Sequence, residues 1–329
     1  MSVASSPVRA LFRAIRVPDA SAPYDTVHLQ VFYPAVVPEG FAGLTLPVDE
    51  GRSPFPVVVF FNGVNCEPCL YRWLAIGLAQ RGLVVVTFSW VAENIPGLVG
   101  LTPGVSLPAL MPQVYGSQPT AAVLESLLPE LQRLQEEGVL AGHLDLDRLV
   151  LGGHSAGGRV AIESASPEFF PSVKAAFCYG GHTAAAQQLG YDPATILPLP
   201  DRLPLLLMGG TADGVIAKSG GRYGVQWDQP TTPVRRTFDE AIAGGRGDSY
   251  LLLLEGATHF TIAHPFEAIA SVSFLDEPAT VPQAPLRTLI LEAIAHFLQA
   301  HLDPGSRPCQ RAWREYGQQQ EAIADFAWK

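Results

Sequence analysis

Short apolar runs recur along this chain and alternate with stretches that have a helical pattern of apolar positions. Residues 9–17 and 27–33 alternate between apolar and polar side chains, which predicts two antiparallel strands. Residues 55–61 (FPVVVFF) form a continuous apolar run ended by Asn62 and Gly63, the pattern of a strand buried on both faces. Further strands are predicted at 83–90, 148–153, 173–180, 203–210 and 249–256, and helices at 70–81, 120–137 and 158–165.

The order of these elements predicts the fold class. Buried strands that alternate with helices pair in parallel and are covered on both sides, so we predict an α/β fold with a doubly wound, mostly parallel sheet and helices on both faces. No internal repeat or low-complexity linker divides the 329 residues, which predicts a single domain over 1–329. Within it, residues 91–118 are predicted to be an inserted loop and residues 304–329 a C-terminal appendage.

Residues 153–157 match the pattern Gly-x-Ser-x-Gly, with Ser155 at its centre. The motif lies between an apolar strand that ends at Gly153 and a predicted helix. A serine on such a sharp turn occupies strained backbone, and Gly153 and Gly157 provide the small neighbours that the turn needs. The positive end of the following helix points at the place where an oxyanion would form. Ser155 is therefore the predicted nucleophile.

A nucleophilic serine needs a base, and the base needs an acid that orients it. Asp213 follows the strand 203–210 in a Thr-Ala-Asp-Gly turn, and His259 follows the strand 249–256 in the segment Ala-Thr-His-Phe. Both come after Ser155, acid before base, and the carboxyl ends of parallel strands meet at one edge of a sheet. We therefore predict Asp213 as the acid and His259 as the base. Rival candidates that follow strands less directly are Asp201, Asp228, His182 and His264.

Two main-chain N–H groups are predicted to form the oxyanion hole. One belongs to Ala156, next to the nucleophile, and the other to Val64, in the loop that follows the strand 55–61. Gly63 allows the chain to turn just before Val64. Each such donor typically stabilises the transition state by about 3 kcal/mol.

Four segments give the chain a resemblance to a known superfamily: FFNG before Val64, GHSAGG around Ser155, TADG with Asp213 and ATHF with His259. On these segments the chain resembles the α/β-hydrolase superfamily over roughly residues 9–302. Within it, the chain is similar to the branch of chlorophyllases, dienelactone hydrolases, and cutinase-like or platelet-activating-factor acetylhydrolase-like esterases. The resemblance implies an α/β-hydrolase fold and a serine hydrolase.

The chain departs from that branch at three positions. Asn62 stands where many relatives have histidine, and Ala156 stands where chlorophyllases usually carry arginine. Dienelactone hydrolases use cysteine where this chain has Ser155. The resemblance therefore indicates the superfamily more strongly than any one subfamily.

The triad predicts hydrolysis of a carboxylic ester through an acyl-enzyme. Ser155 attacks, His259 takes and returns the proton, and Asp213 stays ionised to stabilise the imidazolium. No metal and no organic cofactor are implied. A thioesterase or a serine peptidase would use the same triad, and a catalytically silent receptor with this fold is a further alternative that the complete triad disfavours.

Residues 91–118 carry one charged residue, Glu93, and four prolines, a density that disfavours helix and strand. The loop leaves the carboxyl end of a predicted strand beside the candidate site, and loops of this length are usually functional. We predict that its apolar side chains form a pocket for a lipophilic acyl or isoprenoid ester; the alternative is a loop that packs on the body for structure alone. The predicted pocket residues are Leu98, Leu101, Leu107, Leu110 and Met111.

The composition limits the classes of binding partner and the cellular location that we expect. A formal net charge of −10 offers no basic surface for nucleic acid, and a hydrophobic share of 48% supplies both a core and an apolar pocket. Four cysteines are too few for a disulfide framework at this length, so we expect a reducing, cytoplasmic location. No apolar run approaches the roughly 20 residues that cross a bilayer. The expected partner is a small-molecule ester, peripheral membrane contact stays open, and the oligomeric state is not predicted.

Cys66 and Cys69 are spaced as a redox or zinc pair would be. Structural zinc takes four ligands, however, and Cys178 and Cys309 lack a matching spacing. We therefore expect neither a metal nor a disulfide at this pair.

The tail from Pro308 to Lys329 is predicted to form an amphipathic helix that packs on its own domain, with a partner or a membrane surface as the alternative. The side chains on its apolar face are predicted to be Trp313, Tyr316, Ile323 and Phe326.

Overall fold

The computed structural model describes residues 6–18, 20–40, 42–95, 98–266, 272–302 and 307–329. The strands are β1 (Val8–Arg16), β2 (Thr26–Pro34), β3 (Phe55–Phe61), β4 (Val84–Ile95), β5 (Leu98–Leu101), β6 (Leu144–His154), β7 (Val173–Tyr179), β8 (Leu205–Gly210), β9 (Ser249–Leu254) and β10 (Ile323–Trp328). The α-helices are α1 (Arg72–Gln80), α2 (Leu124–Glu136), α3 (Ser155–Glu163), α4 (Gly214–Ala217), α5 (Thr232–Arg236), α6 (Gln283–Leu302) and α7 (Arg307–Gln319). In these ranges, no helix is long and apolar enough to cross a membrane.

The strands form one mixed sheet in the order β1-β2-β4-β3-β6-β7-β8-β9-β10, with β5 paired to β4 off this path. The six central strands run parallel to one another. They are β4, β3, β6, β7, β8 and β9. The outer strands β1, β2 and β10 pair antiparallel. The prediction of an α/β protein with a mostly parallel sheet is thereby confirmed.

Apolar side chains cover both faces of the sheet. In β3, Val57 and Val59 belong to one buried cluster and Val58 and Phe60 to the other, because successive side chains of a strand point to opposite faces. Leucines of α2 and Val160 of α3 complete the first cluster, and residues of α1 and α6 complete the second. Burial on both faces explains why the central strands are continuous apolar runs rather than alternating ones.

The proline content of residues 91–118 predicts a loop without secondary structure, but the structure shows secondary structure in this segment. β4 continues to Ile95 and pairs antiparallel with β5, and Pro108–Leu110 form a short 3-10 turn. The prediction is wrong because the paired stretches 91–95 and 98–101 contain no proline, so each paired residue keeps its N–H. Pro96 and Gly97 lie outside the described residues.

The tail from Pro308 to Lys329 is not one amphipathic helix, so this prediction is also wrong. α7 ends at Gln319, and β10 then pairs antiparallel with β9, so the C-terminus forms an edge strand of the sheet. Trp313 is fully buried, and Phe326 stacks on Tyr250 at a ring-centroid distance of 6.1 Å. Tyr316 and Ile323 pack against the same cluster. The four predicted side chains therefore do pack on their own domain, Trp313 and Tyr316 from α7 and Ile323 and Phe326 from β10.

Candidate active site

Ser155 lies on a sharp turn between a strand and a helix. β6 ends at His154, α3 begins at Ser155, and the serine has a φ of 54°, in the left-handed region that non-glycine residues rarely adopt. A Cβ at Gly153 would lie 2.5 Å from the carbonyl carbon and oxygen of Gly157, and a Cβ at Gly157 would overlap the carbonyl oxygens of Phe61 and Asn62. Neither glycine position has room for a side chain, so the turn requires the motif that the sequence carries.

A chain of two hydrogen bonds connects the three predicted triad residues. The Nε2 atom of His259 is 2.9 Å from the Oγ atom of Ser155, and its Nδ1 atom is 2.8 Å from the Oδ2 atom of Asp213. Asp213 follows β8 and caps α4, where its Oδ1 atom accepts the N–H of Ile216 at 2.8 Å. Asp213 and His259 are only 2% and 1% exposed. The structure therefore brings together an acid, a base and a hydroxyl in the geometry of a nucleophile–base–acid relay.

The electrostatics of the imidazole follow from this geometry. Burial alone would lower the pKa of His259, but the charge of Asp213 and its hydrogen bond raise the pKa above the ordinary value, with a smaller contribution from Asp276. Gly180, at a φ of 64°, passes over the ring, and a Cβ there would lie 3.1 Å from both Cε1 and Nδ1 of His259. The imidazole is thus confined between the acid and the chain at Gly180.

The rival candidates do not join this relay. Asp201 accepts the N–H of Gly244 at 3.1 Å, while Asp228 and His264 are exposed. Within the described residues, none of the three makes a hydrogen bond to Ser155 or His259. His182 lines the same cavity as Ser155 but makes no hydrogen bond to it.

Val64 and Ala156 both lie at the cavity beside Ser155. Ala156 is the second residue of α3, where a main-chain N–H has no acceptor within the helix. In the described part of the chain the N–H of Val64 donates to no acceptor, whereas the next amide, that of Asn65, donates to the carbonyl of Leu101 at 2.9 Å. A Cβ at Gly63 would lie 3.5 Å from Cβ of Ser155, so the loop passes close to the nucleophile. Both amides are available to a bound oxyanion.

His154 connects the loop after β3 to the turn that carries His259, a role that the sequence did not reveal. Its Nε2 atom donates to the carbonyl of His259 at 3.0 Å, and the hydroxyl of Tyr71 lies 2.8 Å from its Nδ1 atom. The same hydroxyl accepts the N–H of Gly63 at 3.3 Å. The motif position next to Ser155 was the only available signal, and it says nothing about these partners.

Asp276 is a second residue that sequence reasoning missed. Its Oδ1 atom accepts the N–H of Gly214 at 3.0 Å and that of His259 at 3.3 Å, and its Oδ2 atom accepts the N–H of Phe260 at 3.1 Å. One carboxylate therefore holds the turn after the acid and the turn of the base together. Asp276 belongs to no motif, so nothing in the sequence pointed to it.

A cavity of about 550 Å³ opens at Ser155. Of the predicted pocket residues, Leu101, Leu107 and Leu110 line it. Met111 is 37% exposed and is not part of the described lining, and the side chain of Leu98 lies outside the described residues. The lining also contains polar side chains that the sequence did not predict: Arg159, Glu163, His182, Ser219, Arg222 and Tyr223.

The four cysteines all lie in the described residues and form no disulfide with one another. Burial raises the pKa of Cys66 to about 11, so its thiol is protonated at neutral pH. Over the described ranges, no group of three or more histidine, cysteine, aspartate or glutamate side chains is arranged to hold a metal ion.

The chain matches no protein-family model, and no curated protein matches it. What can be said about its activity therefore depends on the geometry of the site.

Proposed function

We propose that this protein is a serine carboxylic-ester hydrolase with the doubly wound α/β-hydrolase fold. The observation that carries the proposal is the relay from Asp213 through His259 to Ser155, with the serine on strained backbone at the mouth of a cavity. A structural serine would need neither a buried base within 2.9 Å nor a left-handed backbone. The mostly parallel sheet, with helices on both faces, supports the same proposal.

In the proposed reaction, Oγ of Ser155 bonds to the ester carbonyl carbon while Nε2 of His259 takes the hydroxyl proton. The carbonyl oxygen becomes an oxyanion, which accepts hydrogen bonds from the N–H groups of Val64 and Ala156. Collapse of this intermediate breaks the bond to the alcohol, which leaves with the proton from His259. Water then repeats the sequence on the acyl-enzyme and releases the acid. Asp213 remains ionised throughout and stabilises the imidazolium.

The apolar part of the cavity supports a lipophilic substrate. Its wall of Leu101, Leu107 and Leu110, with Pro103 and Val105, suits an acyl or alcohol chain, and apolar burial there contributes roughly 0.8 kcal/mol for each methylene. The lipophilic substrate class predicted from residues 91–118 is thus part of the proposal.

The test is a substrate series applied to the wild-type protein and to Ser155→Ala. We expect the wild type to hydrolyse p-nitrophenyl esters and to cleave thioesters and peptides more slowly, and Ser155→Ala to lose hydrolysis while its circular dichroism and melting temperature stay unchanged. Ser117→Ala, which removes an exposed hydroxyl, is the matched control. Faster cleavage of peptides or thioesters would replace the ester hydrolase with the corresponding enzyme.

A further inference from the structure

The cavity at Ser155 has a cationic part in an otherwise acidic protein. The chain carries a formal net charge of −10. Among the described residues that line the cavity, however, the side chains charged at neutral pH are Arg159, Arg222 and Glu163, which leaves one positive charge in excess. Because a positive charge without an acidic partner attracts anions, this part of the lining favours an anionic ligand group.

Arg159 and Glu163 largely neutralise each other. The Nε atom of Arg159 donates to Glu163 at 2.7 Å, and its Nη1 atom donates to the carbonyl of Ala184 at 2.9 Å. Within the described residues, its buried Nη2 atom has no hydrogen-bond acceptor, and the buried Oε2 atom of Glu163 has no hydrogen-bond donor. The excess positive charge therefore belongs to Arg222.

Arg222 lies at the exposed side of the cavity. In the described part of the chain its guanidinium makes no hydrogen bond and no ion pair, although the group lines the same cavity as Ser155. An arginine offers five N–H donors in a planar fork, which binds a carboxylate through two parallel hydrogen bonds. As far as the described residues show, the guanidinium donors of Arg222 are available to a ligand in the cavity.

His182 adds a neutral donor beside these arginines. Its Nδ1 atom accepts the N–H of Ala184 at 3.2 Å, so the ring proton is on Nε2. Burial, together with the nearby charges of Arg159, His259 and Arg222, lowers the pKa of His182 to about 3, which keeps the ring neutral. Its ring centroid lies 5.1 Å from that of Tyr223, which follows Arg222 directly. Arg159, Arg222 and His182 therefore line the same cavity, and both arginines are near enough for their charges to act on His182.

The distance of Arg159 from the nucleophile follows from α3, and the lowered pKa of His182 is consistent with Arg159 and Arg222 both lying near its ring. Arg159 and Glu163 come four and eight residues after Ser155, on the same face of the helix, so they lie roughly 6 and 12 Å further along its axis. The cavity follows this face, since Ala156 and Val160 also line it. A chain of several carbons thus spans the distance from the scissile carbonyl to the part of the cavity that Arg159 lines.

We propose that the ester cleaved at Ser155 carries a carboxylate at the end remote from the scissile bond, held by Arg222 and His182. This inference rests on the proposed ester hydrolase and narrows its substrate class to amphiphilic monoanions. The single excess positive charge matches a carboxylate better than a dianionic phosphate. Leu101, Leu107 and Leu110 contact the apolar middle of the same substrate.

The experiment compares two esters of equal chain length, p-nitrophenyl hexanoate and the p-nitrophenyl monoester of adipic acid. We expect the wild type to have the higher kcat/KM for the adipate ester, and Arg222→Gln to lower the ratio of the two values about tenfold, as loss of a charge-assisted hydrogen bond does. Arg202→Gln removes the same charge from an exposed arginine outside the cavity and is expected to leave the ratio unchanged. A wild-type preference for hexanoate, or equal effects of the two variants, would overturn the proposal.

A binding measurement separates this proposal from the proposed function. With Ser155→Ala, calorimetry is expected to show monomethyl adipate binding at least tenfold more tightly than dimethyl adipate, and Arg222→Gln in the same background is expected to abolish the difference. Equal affinities would overturn the carboxylate site even if esters are hydrolysed. Tighter binding of hexyl phosphate than of monomethyl adipate would overturn the assignment to a carboxylate. If the wild-type protein hydrolysed no ester at all, that result would contradict only the proposed function.

Discussion

The ring of His154 donates a hydrogen bond from Nε2 to the main-chain carbonyl oxygen of His259, across 3.0 Å. Burial, reinforced by the nearby His259, lowers the pKa of His154 well below its ordinary value, so the ring is neutral and its Nδ1 atom accepts the hydroxyl of Tyr71. Because that hydroxyl also accepts the N–H of Gly63, one continuous path of hydrogen bonds joins the candidate oxyanion loop to the candidate base. The two parts of the site are therefore positioned together.

Tyr71→Phe tests this path because it removes only the hydroxyl. The change leaves Nδ1 of His154 and the N–H of Gly63 without their buried partner, which typically costs about 1–3 kcal/mol in the free energy of unfolding. We expect that loss in urea denaturation, together with a fall in kcat of about tenfold. Tyr33→Phe, at a buried tyrosine of β2, is the control and should change neither quantity. Equal behaviour of the two variants would show that the path does not position the site.

The pH dependence of ester hydrolysis follows from the raised pKa of His259. The base acts in its neutral form, so kcat/KM should fall as the pH drops through a pKa above the ordinary histidine value of 6.5. In Asp213→Asn the raising charge is gone while burial still lowers the pKa, so this acid limb should move to lower pH. The plateau should also fall by about 10⁴-fold, the scale seen when a triad acid is neutralised. If Asp201→Asn or Asp228→Asn produced these effects instead, the acid would be wrongly assigned.

Asp276 is expected to act as a positioning residue. Asp276→Asn replaces one acceptor oxygen by an amide that cannot accept the N–H of Phe260, so we expect the free energy of unfolding to fall by about 1–3 kcal/mol and kcat/KM to fall at least tenfold. After Asp213, Asp276 is the next charge that raises the pKa of His259, so the acid limb should shift to lower pH. A purely structural role would leave that limb in place. Asp192→Asn, at an exposed aspartate, is the matched control.

The apolar side chains of residues 91–118 predict how activity depends on the length of the substrate's acyl chain. If Leu107 contacts the substrate chain, kcat/KM should rise from acetyl to hexanoyl esters, since burial of even three of the four added carbons contributes roughly 2 kcal/mol. Leu107→Asp should flatten this rise while it spares acetyl esters. Leu44→Asp, at a fully exposed leucine, should leave the rise intact. A steady decrease of kcat/KM with chain length would indicate a small-ester hydrolase instead.

The central strands could be predicted because they are buried on both faces, so their apolar runs are unambiguous. β3 has the predicted bounds of 55–61. The turns that follow β6, β8 and β9 could also be predicted, since each combines a strand end with a chemically distinctive residue. Ser155, Asp213 and His259 were identified in this way, and the structure brings them within hydrogen-bond distance.

The remaining features depend on contacts between residues distant in sequence. β10 forms only because β9 offers an edge for pairing, and its segment alone resembles the end of an amphipathic helix. Asp276 acts through hydrogen bonds to Gly214 and to His259, which no local pattern encodes. Arg222 reaches the cavity because its turn folds next to His182, forty residues earlier in the chain.

The most direct test of the account is the site of covalent modification by a fluorophosphonate, a reagent that phosphonylates an activated serine. After labelling of the wild-type protein, peptide mass spectrometry should find the adduct on Ser155, and labelling should be lost in Ser155→Ala and strongly slowed in His259→Ala. Esterase activity should decrease in proportion to the labelled fraction. An adduct on another residue, or full activity with Ser155 completely labelled, would contradict the central claim that Ser155 is the nucleophile.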